Sequence, residues 1–132
     1  MKIHHVGYLV KNMDRALESF VVLGYEKETD VVLDPIRKIH VCFLVNGGQR
    51  IELVSPAGDD SVVAGLIKTY RNTPYHICYE TEDFEKDAAY LENNKFTRFE
   101  EPTAAPAIGG RLACYFMSPR IGLVEIVEGE KE

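Results

Sequence analysis

Apolar and polar positions along this chain follow one rhythm, and they follow it twice. The segment IHHVGYLV (residues 3–10) is short and mostly apolar, the pattern of a buried β-strand. A polar turn comes next, and then Met13, Ala16, Leu17 and Phe20 recur at helical spacing on one face. With a constant offset of 71, HICYETEDFEKDAAYLENNKF (residues 76–96) lies over HVGYLVKNMDRALESFVVLGY (residues 5–25) without a gap. His5 meets His76, Tyr8 meets Tyr79, and Asn12 meets Asp83. Phe84, Ala88 and Leu91 carry the second helical face. Asn12 and Asp83 are predicted N-caps, because a short side-chain oxygen can accept from the free N–H groups of the first turn. Gly24 and the NNK of residues 93–95 mark the predicted helix ends.

After each helix the period changes to that of strands. RKIHVCFLV (37–45), an NGG turn (46–48) and QRIELVS (49–55) predict a hairpin. RLACYFMS (111–118), a PRIG turn (119–122) and LVEIVE (123–128) predict a second one. Each half reads strand, helix, then about three strands. The fold class is α+β, with two tandem βαβββ modules, one at about residues 1–56 and one at about 74–128. Residues 57–73 form a linker with a short helix around 62–70.

Composition narrows the partners. The 132 residues are enough for one domain, and 45% hydrophobic with 27% charged is ordinary for a soluble globular protein. A net charge of -6 would repel a phosphate backbone, so nucleic acid is not expected as a partner. The basic cluster IRKIH (36–40) is short, and suits one small anionic ligand through Arg37 or Lys38. No apolar run reaches the roughly 20 residues of a membrane span, and the N-terminus lacks a signal-peptide layout, so a cytoplasmic protein without a membrane partner is expected. Cys42, Cys78 and Cys114 are scattered and form no CxxC pair, which predicts buried thiols in a reducing compartment.

Candidate chemistry comes from what repeats with the strands. His5 precedes Glu52 by 47 residues, and His76 precedes Glu125 by 49. A single strand histidine is more often a core residue than a ligand, and a single strand glutamate more often faces solvent. The joint recurrence of both types at matched places points elsewhere. Glu52 between Ile51 and Leu53, and Glu125 between Val124 and Ile126, are costly if buried unpaired. Two imidazoles and two carboxylates turned to one cavity resolve that cost by holding one divalent ion, with Co, Ni, Zn or Mn all suited. Alternation along the first strand places His4 outward, opposite His5. The IGGR of residues 108–111 is either a plain turn or a mobile loop beside the site.

On these residues the chain resembles the vicinal oxygen chelate superfamily of glyoxalases, methylmalonyl-CoA epimerases, extradiol dioxygenases and bleomycin-resistance proteins. Within it, IELVSPAGDDSVVAGLI (51–67), YHICYE (75–80), GGRLACYFMSP (109–119) and GLVEIVE (122–128) are most similar to segments of the epimerases. The resemblance implies an open, curved mixed sheet built from paired modules around one metal, with His5, Glu52, His76 and Glu125 as ligands. It implies stabilisation of an enolate and proton transfer by Glu125 and Glu52 in an acyl-CoA or other activated carbonyl substrate. A homodimer is common in this fold. Lys38 falls near the place where some epimerases carry a further catalytic carboxylate. A glyoxalase-type, lactoylglutathione lyase-like activity and a non-catalytic small-molecule binding or resistance protein are the alternative outcomes.

Overall fold

The computed structural model describes residues 1–98 and 100–130. The first half contains β1 (Lys2–Leu9), α1 (Met13–Val22), β2 (Glu26–Lys27), β3 (Val32–Asp34), β4 (Ile39–Asn46), β5 (Gln49–Pro56) and α2 (Ala64–Tyr70). The second contains β6 (Thr73–Thr81), α3 (Phe84–Asn93), β7 (Thr97–Arg98), β8 (Thr103–Ala105), β9 (Arg111–Ser118) and β10 (Gly122–Glu128). Among the described residues, no helix is long and apolar enough to cross a membrane.

The predicted caps start both long helices. Asn12 Oδ1 accepts from Arg15 N at 3.0 Å and Asp83 Oδ1 from Lys86 N at 3.2 Å. The β4–β5 hairpin turns on Gly47 and Gly48, with φ of 55° and 85°. Two successive positive φ values define the mirror-image turn that matches strand twist, and glycine adopts them without a Cβ penalty. The sequence reading expects about three strands after each helix but places only the two of each hairpin, and it locates none of the short strands β2, β3, β7 and β8. Each has only two or three residues, too few for an alternating pattern to register.

The chain divides into two compact units, Val6–Tyr75 and a second that joins Met1–His5 to His76–Glu132. The N-terminal five residues therefore belong with the second half, where the modular reading placed them with the first. Their side chains account for this. Lys2 Nζ is 3.2 Å from Glu80 Oε1, and His5 Nε2 is 3.2 Å from His76 Nε2.

In the Val6–Tyr75 unit the strand order is β2-β4-β5-β1, with β3 also on β4. β1 and β5 run parallel and the other pairs antiparallel. In the second unit the order is β6-β10-β9-β7, with β8 also on β9, and β6 and β10 run parallel. The two parallel pairs share one register. Gly7 lies opposite Glu52, and Cys78 lies opposite Glu125. Each glutamate thus stands across from the residue two places beyond its module's strand histidine.

Each helix lays its apolar face on its own unit's strands. Met13 packs with Cys42, Leu44, Ile51 and Leu53, joined by Ala16, Leu17 and Phe20. Phe84, Ala88 and Leu91 pack with Cys114, Phe116, Val124 and Ile126. Burying each large side chain contributes about 1.5–3 kcal/mol, and this packing gives the parallel pairs a rigid backing.

Candidate metal centre

β1, β6 and β10 bring three of the expected ligands together. His5 Nε2 and His76 Nε2 are 3.2 Å apart. Glu125 Oε1 lies 3.4 Å from the first and 3.2 Å from the second. All three residues are buried, at 2%, 4% and 6% exposure. Parallel pairing explains the meeting, because the Cys78–Glu125 register carries Glu125 to the level of the residues beside His76. The edge of Tyr115 packs on the His76 ring, with centroids 5.2 Å apart, and holds its plane.

The carboxylate is the unusual member. Burial pushes its pKa up, but the imidazoles of His5 and His76 more than offset this and hold it well below the usual carboxylate range. Its Oε1 is nevertheless buried without a well-directed hydrogen bond. Three potential ligand atoms converge at 3.2–3.4 Å, and the two imidazole nitrogens among them share a hydrogen bond. Ligand atoms about 2.0–2.2 Å from a shared ion are themselves roughly 3.0–3.5 Å apart. The arrangement therefore fits a divalent cation, and two imidazoles with a carboxylate match the donor preferences of Zn, Co, Ni or Mn.

The remaining expected site residues lie in the Val6–Tyr75 unit. Glu52 is half-buried on β5, opposite Gly7 of β1 and Phe43 of β4. Arg37 is buried between β3 and β4. Its Nη1 donates to Asp34 Oδ2 at 2.8 Å, and Asp34 Oδ1 also accepts from the backbone N–H groups of Ile36 and Arg37. Lys38 has φ of 56°, its side chain is half exposed, and it pairs with Asp60. Arg37 thus sets the shape of the turn, while Lys38 presents its charge at the surface.

His4 departs from the sequence expectation of an outward position. It is buried at 8% exposure, and its Nδ1 is 2.7 Å from His5 Nδ1. Arg111 Nη2 comes within 3.4 Å of His4 Nε2. Alternation alone places His4 on the solvent face, and the long reach of Arg111 across to it covers that face. The visible signal was the His-His doublet itself. The IGGR segment is a tight turn, with Gly109 and Gly110 at φ of 71° and 81°. It delivers Arg111, whose Nε donates to Ile108 O at 3.1 Å and whose Nη1 donates to Glu128 O at 3.0 Å.

The cysteines follow expectation, since Cys42, Cys78 and Cys114 are free and buried. Burial, aided by the Glu100 charge, pushes the Cys114 thiol up to about 12. That leaves it no nucleophilic role near neutral pH.

Residues 4–115 match the family described as the Glyoxalase/Bleomycin resistance protein/Dioxygenase superfamily. The mitochondrial methylmalonyl-CoA epimerase of Bos taurus is 28% identical over 110 residues, covering 82% of this chain. The match spans 62% of that relative's own length. A hypothetical protein from Bacillus halodurans C-125 shares the fold at a TM-score of 0.86 and 24% identity, over 99% of this chain and 96% of that one. A Streptomyces coelicolor methylmalonyl-CoA epimerase variant in complex with 2-nitronate-propionyl-CoA superposes with a TM-score of 0.84 at 21% identity. That match covers 98% of this chain and 94% of the other.

Proposed function

The chain belongs to the glyoxalase/bleomycin resistance protein/dioxygenase superfamily, and we propose that it is an acyl-CoA epimerase of the methylmalonyl-CoA type that works with one divalent cation. The observation that carries this reading is the buried His5–His76–Glu125 triangle. Similarity to mitochondrial methylmalonyl-CoA epimerase supports the choice of substrate. Glu52 is the proposed fourth ligand, because it bears to β1 the register relation that Glu125 bears to β6. These four residues would hold the cation, which when bound would supply Lewis acidity toward a thioester carbonyl, worth about several kcal/mol.

The chain's own groups supply the proton transfer. Glu125 is ionised at neutral pH, the form needed to accept a proton from the carbon between thioester and carboxylate. Glu52 is its counterpart: starting in its protonated form, it gives its carboxyl proton to the opposite face of the same carbon, so the step ends with Glu125 protonated and Glu52 ionised. Use of both carboxylates inverts the centre without changing the carbon skeleton. The buried walls around His5 and His76 keep bulk water away from the carbanion. Lys38 is the proposed contact for an anionic part of the substrate, on a turn that Arg37 and Asp34 keep in shape.

The test is solvent exchange. Methylmalonyl-CoA incubated in D2O with the protein and Co2+ is expected to gain deuterium at the α-carbon and to racemise. A hemithioacetal that is isomerised, while methylmalonyl-CoA stays unlabelled, would overturn the epimerase reading in favour of a glyoxalase-type lyase. Tight binding of a small molecule with no exchange in either substrate would assign a binding protein.

A further inference from the structure

We propose that Tyr115, Met117 and Leu123 form the specificity surface of the metal centre, and that this surface takes a hydrocarbon chain longer than a methyl group on the reacting carbon. The proposal deepens the reading above and rests on it. Strand pairing puts the three residues on the same sheet face as Glu125. Tyr115 pairs with Glu125 and Met117 with Leu123, while the intervening Phe116 and Val124 turn the other way and pack under α3. Tyr115 joins the surface to the triangle, because its ring packs in a T shape against His76 with centroids 5.2 Å apart. Its place on β9 is fixed by a 3.0 Å hydrogen bond from its backbone N–H to Glu100 Oε1.

This face differs on the two sides of Glu125. In one direction Cys78, Ala113 and Val127 are buried, with Ala105 and Ile108 packed against them. In the other direction Met117 is 43% exposed, and Tyr115 and Leu123 are half-buried. Thr97, the partner of Met117 on β7, is itself exposed and brings no apolar cover. Apolar surface thus lies open directly beside a buried, ionised carboxylate, and covering it with an apolar group is favourable. A ligand whose oxygens meet the triangle reaches this surface with whatever its next carbon carries. From Glu125 to Leu123 is two strand residues, a span of about 6.6 Å. A methyl group does not bridge that span, whereas an alkyl chain of several carbons does. The amide groups of a coenzyme A arm would be left unpaired against it, so the occupant is the alkyl substituent of the acid.

Calorimetry on the zinc-loaded full chain tests this, with methyl-, ethyl- and butylmalonate as probes. Each covered CH2 is worth about 2- to 4-fold, so butylmalonate is expected to bind about 10-fold or more tightly than methylmalonate. In Met117→Ser that gain is expected to shrink until the three probes bind within about 3-fold of one another. Tyr90→Ser, a change at an exposed apolar residue of α3, is expected to keep the full gain. Equal affinities across the series in the unsubstituted chain, or a gain that survives Met117→Ser, would overturn the surface and leave the epimerase reading to its own exchange test. Zinc-loaded protein that binds none of the malonates would overturn it in the same way. A dimer that Met117→Ser converts to monomers in sedimentation, with the malonate series unchanged, would assign the face to a second copy and overturn it too. A chain that takes up no zinc would remove the metal reading and the surface's role together, and the metal titration identifies that case.

Discussion

The two parallel strand pairs, β1–β5 and β6–β10, share a register but not an environment. Glu125 is buried at 6% exposure and meets two imidazoles, while Glu52 at the matching position is only half-buried. The residues around them explain why. β10 is buried from Val124 to Val127, on both faces, whereas β5 alternates at Glu52 between buried Ile51 and Leu53. Repetition of a backbone thus places like residues at like positions, and the side chains packed around each copy then give them different burial and different partners. A pair of carboxylates that differ in this way suits a reaction that removes a proton with one group and returns it with the other.

Substitutions at the two carboxylates are the strongest way to break the comparison. Glu125→Gln is expected to lower turnover by about 10²- to 10⁴-fold, the range for losing a positioned acid–base group, and to weaken metal binding as well. Glu52→Gln is expected to cost activity while leaving the His5–His76–Glu125 triangle intact. Steady-state kinetics with metal titration of both variants separates the roles. Equal loss of metal in the two variants would make the carboxylates equivalent.

Next in size are the two cores. Phe116, fully buried under α3, is expected to cost about 3–5 kcal/mol of stability as Phe116→Ala, and Leu44 under α1 about 2–5 kcal/mol as Leu44→Ala. Urea unfolding of both variants shows whether the two units melt together or apart.

Acid tests the pairing of Glu125. Glu125 has a folded pKa below its unfolded value, so its ionisation stabilises the fold above about pH 4.5. That contribution is lost as the pH falls below this value toward the depressed folded pKa. Metal-free protein is expected to lose melting temperature more steeply than Glu125→Gln on acidification below pH 4.5. Parallel curves would contradict the pairing. The smallest effects belong to the caps, where Asn12→Ala and Asp83→Ala are each expected to cost about 1 kcal/mol in thermal unfolding.

Much of the architecture could be read from the sequence because it is written twice. Asn12 and Asp83 cap their helices, and Met13 and Phe84 open the buried faces, at positions the offset of 71 identifies. That His5, His76 and Glu125 come together was legible for the same reason. What could not be read has a physical cause in each case. His4 lies in a strand whose alternation points it to solvent, and only the folded chain brings Arg111 over it. The first five residues pack with the other unit, which linear order does not disclose. Arg37 looked like a free cation until the turn brought Asp34 beside it.

The most direct measurement is metal content per chain, on protein purified without an affinity tag, beside the His76→Ala variant. The account predicts about one divalent ion per chain, lost or greatly weakened in the variant. Protein that carries no ion, and takes none up on titration with Co2+ or Zn2+, would contradict it.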